Sequence, residues 1–408
     1  MNDILAKIAA EHGTPCFVYF MDEVRARIEA IRSAFAGLFG VSYAMKCNPH
    51  LAILRRMQGW VDTLDISSGG ELARAQSVGW PGATISFTGP GKRLPELQAA
   101  VDYAIGDVIL ESIPEAQQLN EIAGRAGTRQ DALIRIAPQK VPRGFGSHMT
   151  GKASQFGIDE EVLDSAVPQI AALPHLRLCG FHIYSGTQCL KPDAVAENYE
   201  IFVDIFRRAC GTHDITPKKL IFGSGLGIPY HEGDASVDLR PIADRITPLL
   251  RELKSHKSFA NTQLLLETGR YLVGEAGFYL MSVVSKKQSR GSTICVMDGG
   301  MNHHLGAAGH LGMVIHRPYP MFKVRSSRPD SAEAAFDLYG SLCTSIDHLG
   351  KGVKFPGLEV GDVVSVRSSG AYGATASPVG FISHPPPKEI IVETRDGRTV
   401  IEEITARS

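Results

Sequence analysis

From about residue 22 to residue 275, short apolar runs alternate with segments of helical periodicity. The runs are VSYAMK (41–46), TLDI (63–66), TISFTG (84–89), YAIGDVIL (103–110), ALIRIA (132–137), LCGFHIYSG (178–186), KLIFGSG (219–225) and QLLLETG (263–269). Runs of this length bounded by turn residues suit strands buried on both faces. Between them, GELARAQSVG, LPELQAAV and IPEAQQLNEIAGRAG place apolar residues at helical spacing. Eight strands with intervening helices predict an α/β fold, a (β/α)8 barrel over 22–275, with a doubly wound open sheet as the structural competitor. After residue 275 the texture changes. GFYLMSVVSKKQ, STICVMDGG, VGDVVSVRS, EIIVETRDG and RTVIEEI alternate apolar and polar positions between Gly, Pro and Asp turns. They predict a second, mainly antiparallel β domain over 1–21 plus 276–408, to which TPCFVYF (14–20) gives an N-terminal strand. HMTGKASQFG (148–157) reads as a mobile loop.

In a barrel of this kind, active-site residues sit where strands end. The predicted strand ends carry Lys46, Asp65, Gly89, Arg135, His182 with Ser185, Gly223 to Gly227, and Glu267 to Arg270. A lysine at the inner end of a strand is partly desolvated, which frees its amine to attack a carbonyl; a solvated strand-end charge is the plain alternative. FGSGLGIPY (222–230) lets backbone amides approach a phosphate, although its spacing matches neither the P-loop nor the dinucleotide fingerprint. Glu267 can hold a protonated pyridine nitrogen and Arg270 a phosphate, or the two can simply pair with each other. His182 suits stacking on an aromatic cofactor, with Ser185 reaching its phosphate. Together these residues ask for a phosphorylated carbonyl cofactor.

Composition narrows the partners. The chain has 408 residues, 44% hydrophobic and 21% charged, and a formal net charge of −1. With both signs interspersed, neither nucleic acid nor an anionic membrane is expected as the main partner. The seven cysteines are scattered without a CxxC pair, which suits a reducing compartment and a cytoplasmic enzyme. His303, His304, His310 and His316 lack a ligand spacing, so no metal is expected.

These motifs resemble, over essentially the whole chain, the fold-type III pyridoxal-phosphate decarboxylases of diaminopimelate, ornithine and arginine. YAMKCN resembles the family's lysine motif, which implies that Lys46 is the covalent anchor of pyridoxal 5′-phosphate and that Asp65 of LDISSGGEL lies near it. GFHIYSGTQ implies that His182 stacks on the ring. FGSGLGIPY resembles the phosphate loop of Gly223, Gly225 and Gly227, with Ser224 replacing a glycine and still exposing its N–H. ETGR implies Glu267 on the pyridine nitrogen and, beyond Gly269, Arg270 on phosphate or substrate. GSLCTSID implies that Cys343 and Asp347 act in the partner subunit's site, in a head-to-tail homodimer. SSGAYG implies that Tyr372 contacts phosphate, and Arg270, Asp347 and Tyr372 are the implied substrate contacts. The implied reaction is α-decarboxylation of an amino acid or derivative, with Lys46, Cys343, Glu267 and His182 catalytic.

Two departures bear on substrate. Diaminopimelate decarboxylases carry an acidic residue after the cysteine, where this chain has Thr344, and an Arg-Pro-x-Leu-Tyr run where it has MNHHLGAAGHLG. FTGPGK, GGMNHH and SSGAYGATASPV resemble a specialised branch. It includes the butirosin-pathway decarboxylase of carrier-protein-bound glutamate and exosortase-associated relatives. An acyl carrier protein is thus an expected partner, and a natural-product or siderophore intermediate an expected substrate class. Diaminopimelate decarboxylase, an amino-acid racemase of the same fold, a non-enzymatic pyridoxal-phosphate protein and a Schiff-base aldolase stand as alternatives.

Overall fold

The computed structural model describes residues 1–311, 317–324 and 332–404. Two compact units divide the chain: Arg27–Gly227 with Ser236–Gly269, and Met1–Ala26 with Ile228–Ala235 and Arg270–Ser408.

In the first unit eight parallel strands follow one another in chain order. They are Gly40–Ala44, Thr63–Ile66, Ile85–Phe87, Asp107–Leu110, Gln130–Ala137, Leu176–Ile183, Lys219–Gly223 and Gln263–Thr268. The last pairs with the first, Glu267 lying opposite Ser42, and Asp107–Leu110 pairs with Gln130–Ala137. The sheet therefore closes into a barrel with no edge, which excludes the open sheet. Alternation along each strand stacks the interior in layers. A buried Lys219–Asp107 pair lies toward the strand starts, Ile109, Leu133, Ile221 and Leu265 fill the middle, and charged groups crowd the other end. Each of those apolar side chains contributes roughly 1.5–3 kcal/mol by leaving water.

Helices start where the sequence offers caps. Ser68 accepts from the Glu71 amide at the head of Gly69–Ser77, and Ser112 from the Glu115 amide at the head of Ile113–Arg125. Such caps contribute about 1 kcal/mol each and fix where a strand-end loop stops.

In the second unit the strand Cys16–Phe20 pairs antiparallel with Gly277–Ser289 and parallel with Lys388–Arg395, as the run TPCFVYF suggested. Cys16, Val18 and Phe20 face a core with Phe278, Leu280, Ile390 and Val392, which the helix Asn2–His12 covers through Leu5 and Ile8. Phe17 points the other way and stacks on Tyr279 with ring centroids 4.6 Å apart. Asp396 and Gly397 (φ 51° and 73°) turn the hairpin joining Lys388–Arg395 to Arg398–Glu403, the positive-φ geometry that Asp-Gly favours. Most pairs are antiparallel; Ser292–Met297 runs parallel to Ala334–Tyr339. Among the described residues no helix is long and apolar enough to cross a membrane.

Candidate active site

The strand Gly40–Ala44 ends before the apolar run does, and Met45–Cys47 forms a single 3-10 turn. Lys46 thus leaves from a turn, flanked by buried Met45 and Cys47, with its side chain 37% exposed rather than enclosed. The Tyr43 hydroxyl holds the turn by donating to the Asn48 carbonyl at 2.8 Å. Gly269 has a steric reason to be glycine: a β-carbon there would lie 2.7 Å from the Ala44 carbonyl oxygen and 2.8 Å from Cys47 Sγ. Only a residue without a side chain lets the chain beyond Glu267 pass this close to the Lys46 turn.

Lys46 Nζ stands 3.7 Å from Asp65 Oδ2 and 3.8 Å from Glu267 Oε1, both on buried carboxyl groups. Strand register puts them there, since Ala44 pairs with Asp65 and Glu267 with Ser42. The two carboxyls differ in environment. Burial, then the charge of Glu267, pushes Asp65 well above the usual carboxylate range, against the opposing pull of Lys46 and the Thr88 hydroxyl bond at 2.5 Å. Burial also pushes Glu267 up, but its bond to His182 Nε2 at 2.9 Å and the charges of His182, Lys46 and Arg135 outweigh that and hold it at about 2. Paired carboxyls pushed in opposite directions in this way present two groups of unlike acidity beside an amine.

Several polar atoms here are buried without a hydrogen-bond partner: Asp65 Oδ2, Glu267 Oε1, His182 Nδ1 and Ser185 Oγ. Buried polar groups are normally bonded, so their concentration around Lys46 marks a place for a polar ligand. A charged carboxylate oxygen suits a protonated ring nitrogen, the lysine amine an aldehyde and the serine hydroxyl a phosphate. The residues present fit a phosphorylated pyridine aldehyde.

The glycine loop needs a correction. The Ser224 amide is not exposed; it donates to the Glu267 carbonyl at 2.9 Å and extends the sheet ladder. The Gly227 amide likewise donates to the Cys189 carbonyl at 2.9 Å. Among the described residues this leaves the Gly225 amide, in a left-handed conformation (φ 64°), for an anion. The glycines also answer packing demands. β-Carbons at Gly223 and Gly225 would lie 2.3 Å from the rings of Tyr184 and Phe145.

One charged residue behind the site escaped the sequence reading as a functional group. Glu111, one residue past its strand, accepts from Arg135 at 2.9 Å, from the Gly157 amide at 2.6 Å and from the Gly89 amide at 3.1 Å. It ties three loops together and fixes the Arg135 charge that acts on Glu267. A carboxylate ending an apolar run was the available signal, the same one that singled out Lys46.

In the second unit Arg270 donates to the Tyr230 hydroxyl at 2.6 Å, and its guanidinium carbon lies 4.7 Å from the Tyr372 ring centroid. Tyr230, the last residue of FGSGLGIPY, is the missed member of this group. Asp347 is anchored within its own chain. Its carboxylate is buried and accepts the amides of Met301 at 2.7 Å and Leu342 at 2.9 Å. Each oxygen accepts one amide of its own chain, which ties the loops of Gly300 and Gly340 together. Cys343 is exposed, whereas the other six cysteines are buried. Burial holds His303 and His304 down at about 4 and about 3, bonded to Tyr279 and Ser369, and His316 lies outside the described residues. Among the described residues no cluster suits a metal ion.

Comparison with known proteins agrees with this chemistry. The model of the pyridoxal-binding domain of pyridoxal-dependent decarboxylases matches residues 21–274. The L-glutamyl-[BtrI acyl-carrier protein] decarboxylase of Niallia circulans is 34% identical over 381 residues, covering 93% of this chain and 88% of that protein. The diaminopimelate decarboxylase of Zymomonas mobilis is 30% identical over 398 residues, covering 95% and 90%. A solved diaminopimelate decarboxylase from M. jannaschii, in co-complex with L-lysine, matches with a TM-score of 0.85 at 25% identity, covering 98% and 92%. A phosphorylated pyridine aldehyde suits the Lys46 site and the family model spans the barrel, so the chain belongs to the pyridoxal-dependent decarboxylases of amino acids, with pyridoxal phosphate as its cofactor.

Proposed function

We propose that this enzyme removes the free α-carboxylate of an amino acid that is joined to an acyl carrier protein through its side-chain carboxyl. The observation that carries the catalytic part is the Lys46 amine within 4 Å of two buried carboxyls, Glu267 held low and Asp65 pushed up. Lys46 would hold the cofactor through its aldehyde, Glu267 would keep a proton on the ring nitrogen, and His182, which orients Glu267, would face the ring. Ser185 and the Gly225 amide would take the phosphate, and Arg270, stacked on Tyr372 within the second unit, would offer its guanidinium to an anion such as a carboxylate. When bound, pyridoxal phosphate supplies an electron sink for the pair left behind as CO2 departs. Cys343 of the partner subunit then hands a proton to Cα in a homodimer with shared sites.

The carrier-borne substrate is supported by the relative from Niallia circulans, which acts on a glutamyl group held by an acyl carrier protein. Mass-spectrometric loss of CO2 across free and carrier-loaded amino acids tests the reading. The carrier-loaded substrate should show kcat/KM at least about tenfold above its free amino acid. Preference for free diaminopimelate would replace this reading with diaminopimelate decarboxylation.

Shared sites have their own test. Lys46→Ala and Cys343→Ala chains, each inactive alone, should recover about a quarter of wild-type activity when mixed and allowed to exchange, because a hybrid two-fold dimer has one intact site. Subunit exchange without recovery would place Cys343 outside the partner's site.

A further inference from the structure

Behind the loop that carries Ser185, the segment after the strand Gln130–Ala137 builds a feature the decarboxylation chemistry does not use. Its polar composition suggested a loose loop, yet it is tied down. Ser147–His148 pairs antiparallel with Gly186–Thr187, and the Met149 amide donates to the Ser185 carbonyl at 2.8 Å. Between this segment and the helix Pro192–Thr212 lies a cleft of about 650 Å³. Lys140, Arg143, Lys152 and His148 line it, against the single carboxylate of Glu197. Among the described residues, none of Lys140, Arg143 and Lys152 is paired with a carboxylate. Thr150 lines the same cleft at 2% exposure, and its hydroxyl has no hydrogen-bond partner.

An excess of cations in a concave site concentrates anions, and a buried unbonded hydroxyl supplies a directed contact that a solvated charged surface lacks. An arginine fork beside two lysines suits a phosphate group, which offers several oxygens and up to two charges. The volume falls within the roughly 300–1,000 Å³ of small-molecule sites. We propose that this cleft binds a phosphate ester on the substrate's arm, remote from the amino-acid end that reacts. Resting on the carrier-borne reading above, the group is the phosphate of a phosphopantetheine arm. Because the segment is bonded to the Ser185 loop, holding that phosphate also steadies the wall of the candidate active site.

The test uses holoenzyme saturated with cofactor, so that the cofactor's own phosphate site is filled. It is titrated with 4′-phosphopantetheine, with pantetheine and with inorganic phosphate. The phosphorylated arm should bind at least about tenfold tighter than pantetheine, about 1.4 kcal/mol. It should also bind more tightly than inorganic phosphate, and added salt should shrink its advantage. The combined variant Lys140→Ala/Arg143→Ala/Lys152→Ala should lose the advantage while keeping the cofactor's visible absorbance. Equal binding of pantetheine and its phosphate, or an advantage that survives the triple substitution, overturns the proposal. Inorganic phosphate binding as tightly as the arm would overturn the assignment to a substrate arm. Phosphopantetheine bound in the cleft without turnover of carrier-loaded amino acids defeats the carrier reading alone. Turnover of those substrates with KM unchanged in the triple variant defeats the cleft alone.

Discussion

Replacing Lys46 with alanine is expected to abolish the visible absorbance of the bound cofactor and to lower kcat by at least about 10³-fold, or ~4 kcal/mol of barrier. The reason lies in the geometry of one amine. Lys46 Nζ sits within 4 Å of the buried carboxyls of Asp65 and Glu267, on a turn whose position depends on the absence of a side chain at Gly269. An amine fixed in this way meets an aldehyde in an orientation that a free amine reaches only rarely. Lys46→Arg keeps the charge but not the nucleophile, so it should fail in the same way, which separates chemistry from charge balance. An unchanged spectrum in either variant would sink the assignment of Lys46 as the anchor.

The second large effect is expected at Glu267. Glu267→Gln keeps the size and an oxygen for His182 Nε2 but removes the charge, and kcat should fall by about 10²–10³-fold with cofactor still bound. The pH behaviour distinguishes this from a packing defect. Although burial raises its pKa, the His182 bond and the charges of His182, Lys46 and Arg135 bring Glu267 from 4.5 to about 2. Its folded-state pKa is therefore depressed. The stability it contributes is fully present above about pH 4.5 and is lost as pH falls toward 2. The wild type should gain stability relative to Glu267→Gln as pH rises through that interval and hold a constant advantage beyond it. The catalytic loss should likewise be flat near neutrality, because Glu267 stays charged there. Activity within a few-fold of wild type, or a stability difference that first opens near neutral pH, would count against a charged Glu267 on the ring nitrogen.

Lys46, Asp65, His182 and Glu267 were legible in the sequence because each ends an apolar run, and in a parallel barrel that placement alone sends a side chain toward the active end. The eight barrel strands were legible for a related reason. Runs buried on both faces, separated by helical periodicity and turn residues, are local patterns that need no knowledge of distant contacts. Other features were not legible. Ser224 looked able to offer its amide, but strand pairing with Glu267 consumes it. The bonds by which Asp347 holds the amides of Met301 and Leu342 could not be read from its motif. Glu111 and Tyr230 gained roles only through Arg135 and Arg270.

The sequence by itself determined the strands, their order and the chemical groups at their ends. Tertiary structure decided which of those groups remain unbonded, which carboxyl is pushed up and which held down, and where cations line a cleft. The physical reason is that period and punctuation are written in neighbouring residues. Hydrogen-bond satisfaction, desolvation and charge coupling are set by partners as far apart in the chain as His182 and Glu267, and they exist only once the barrel has closed.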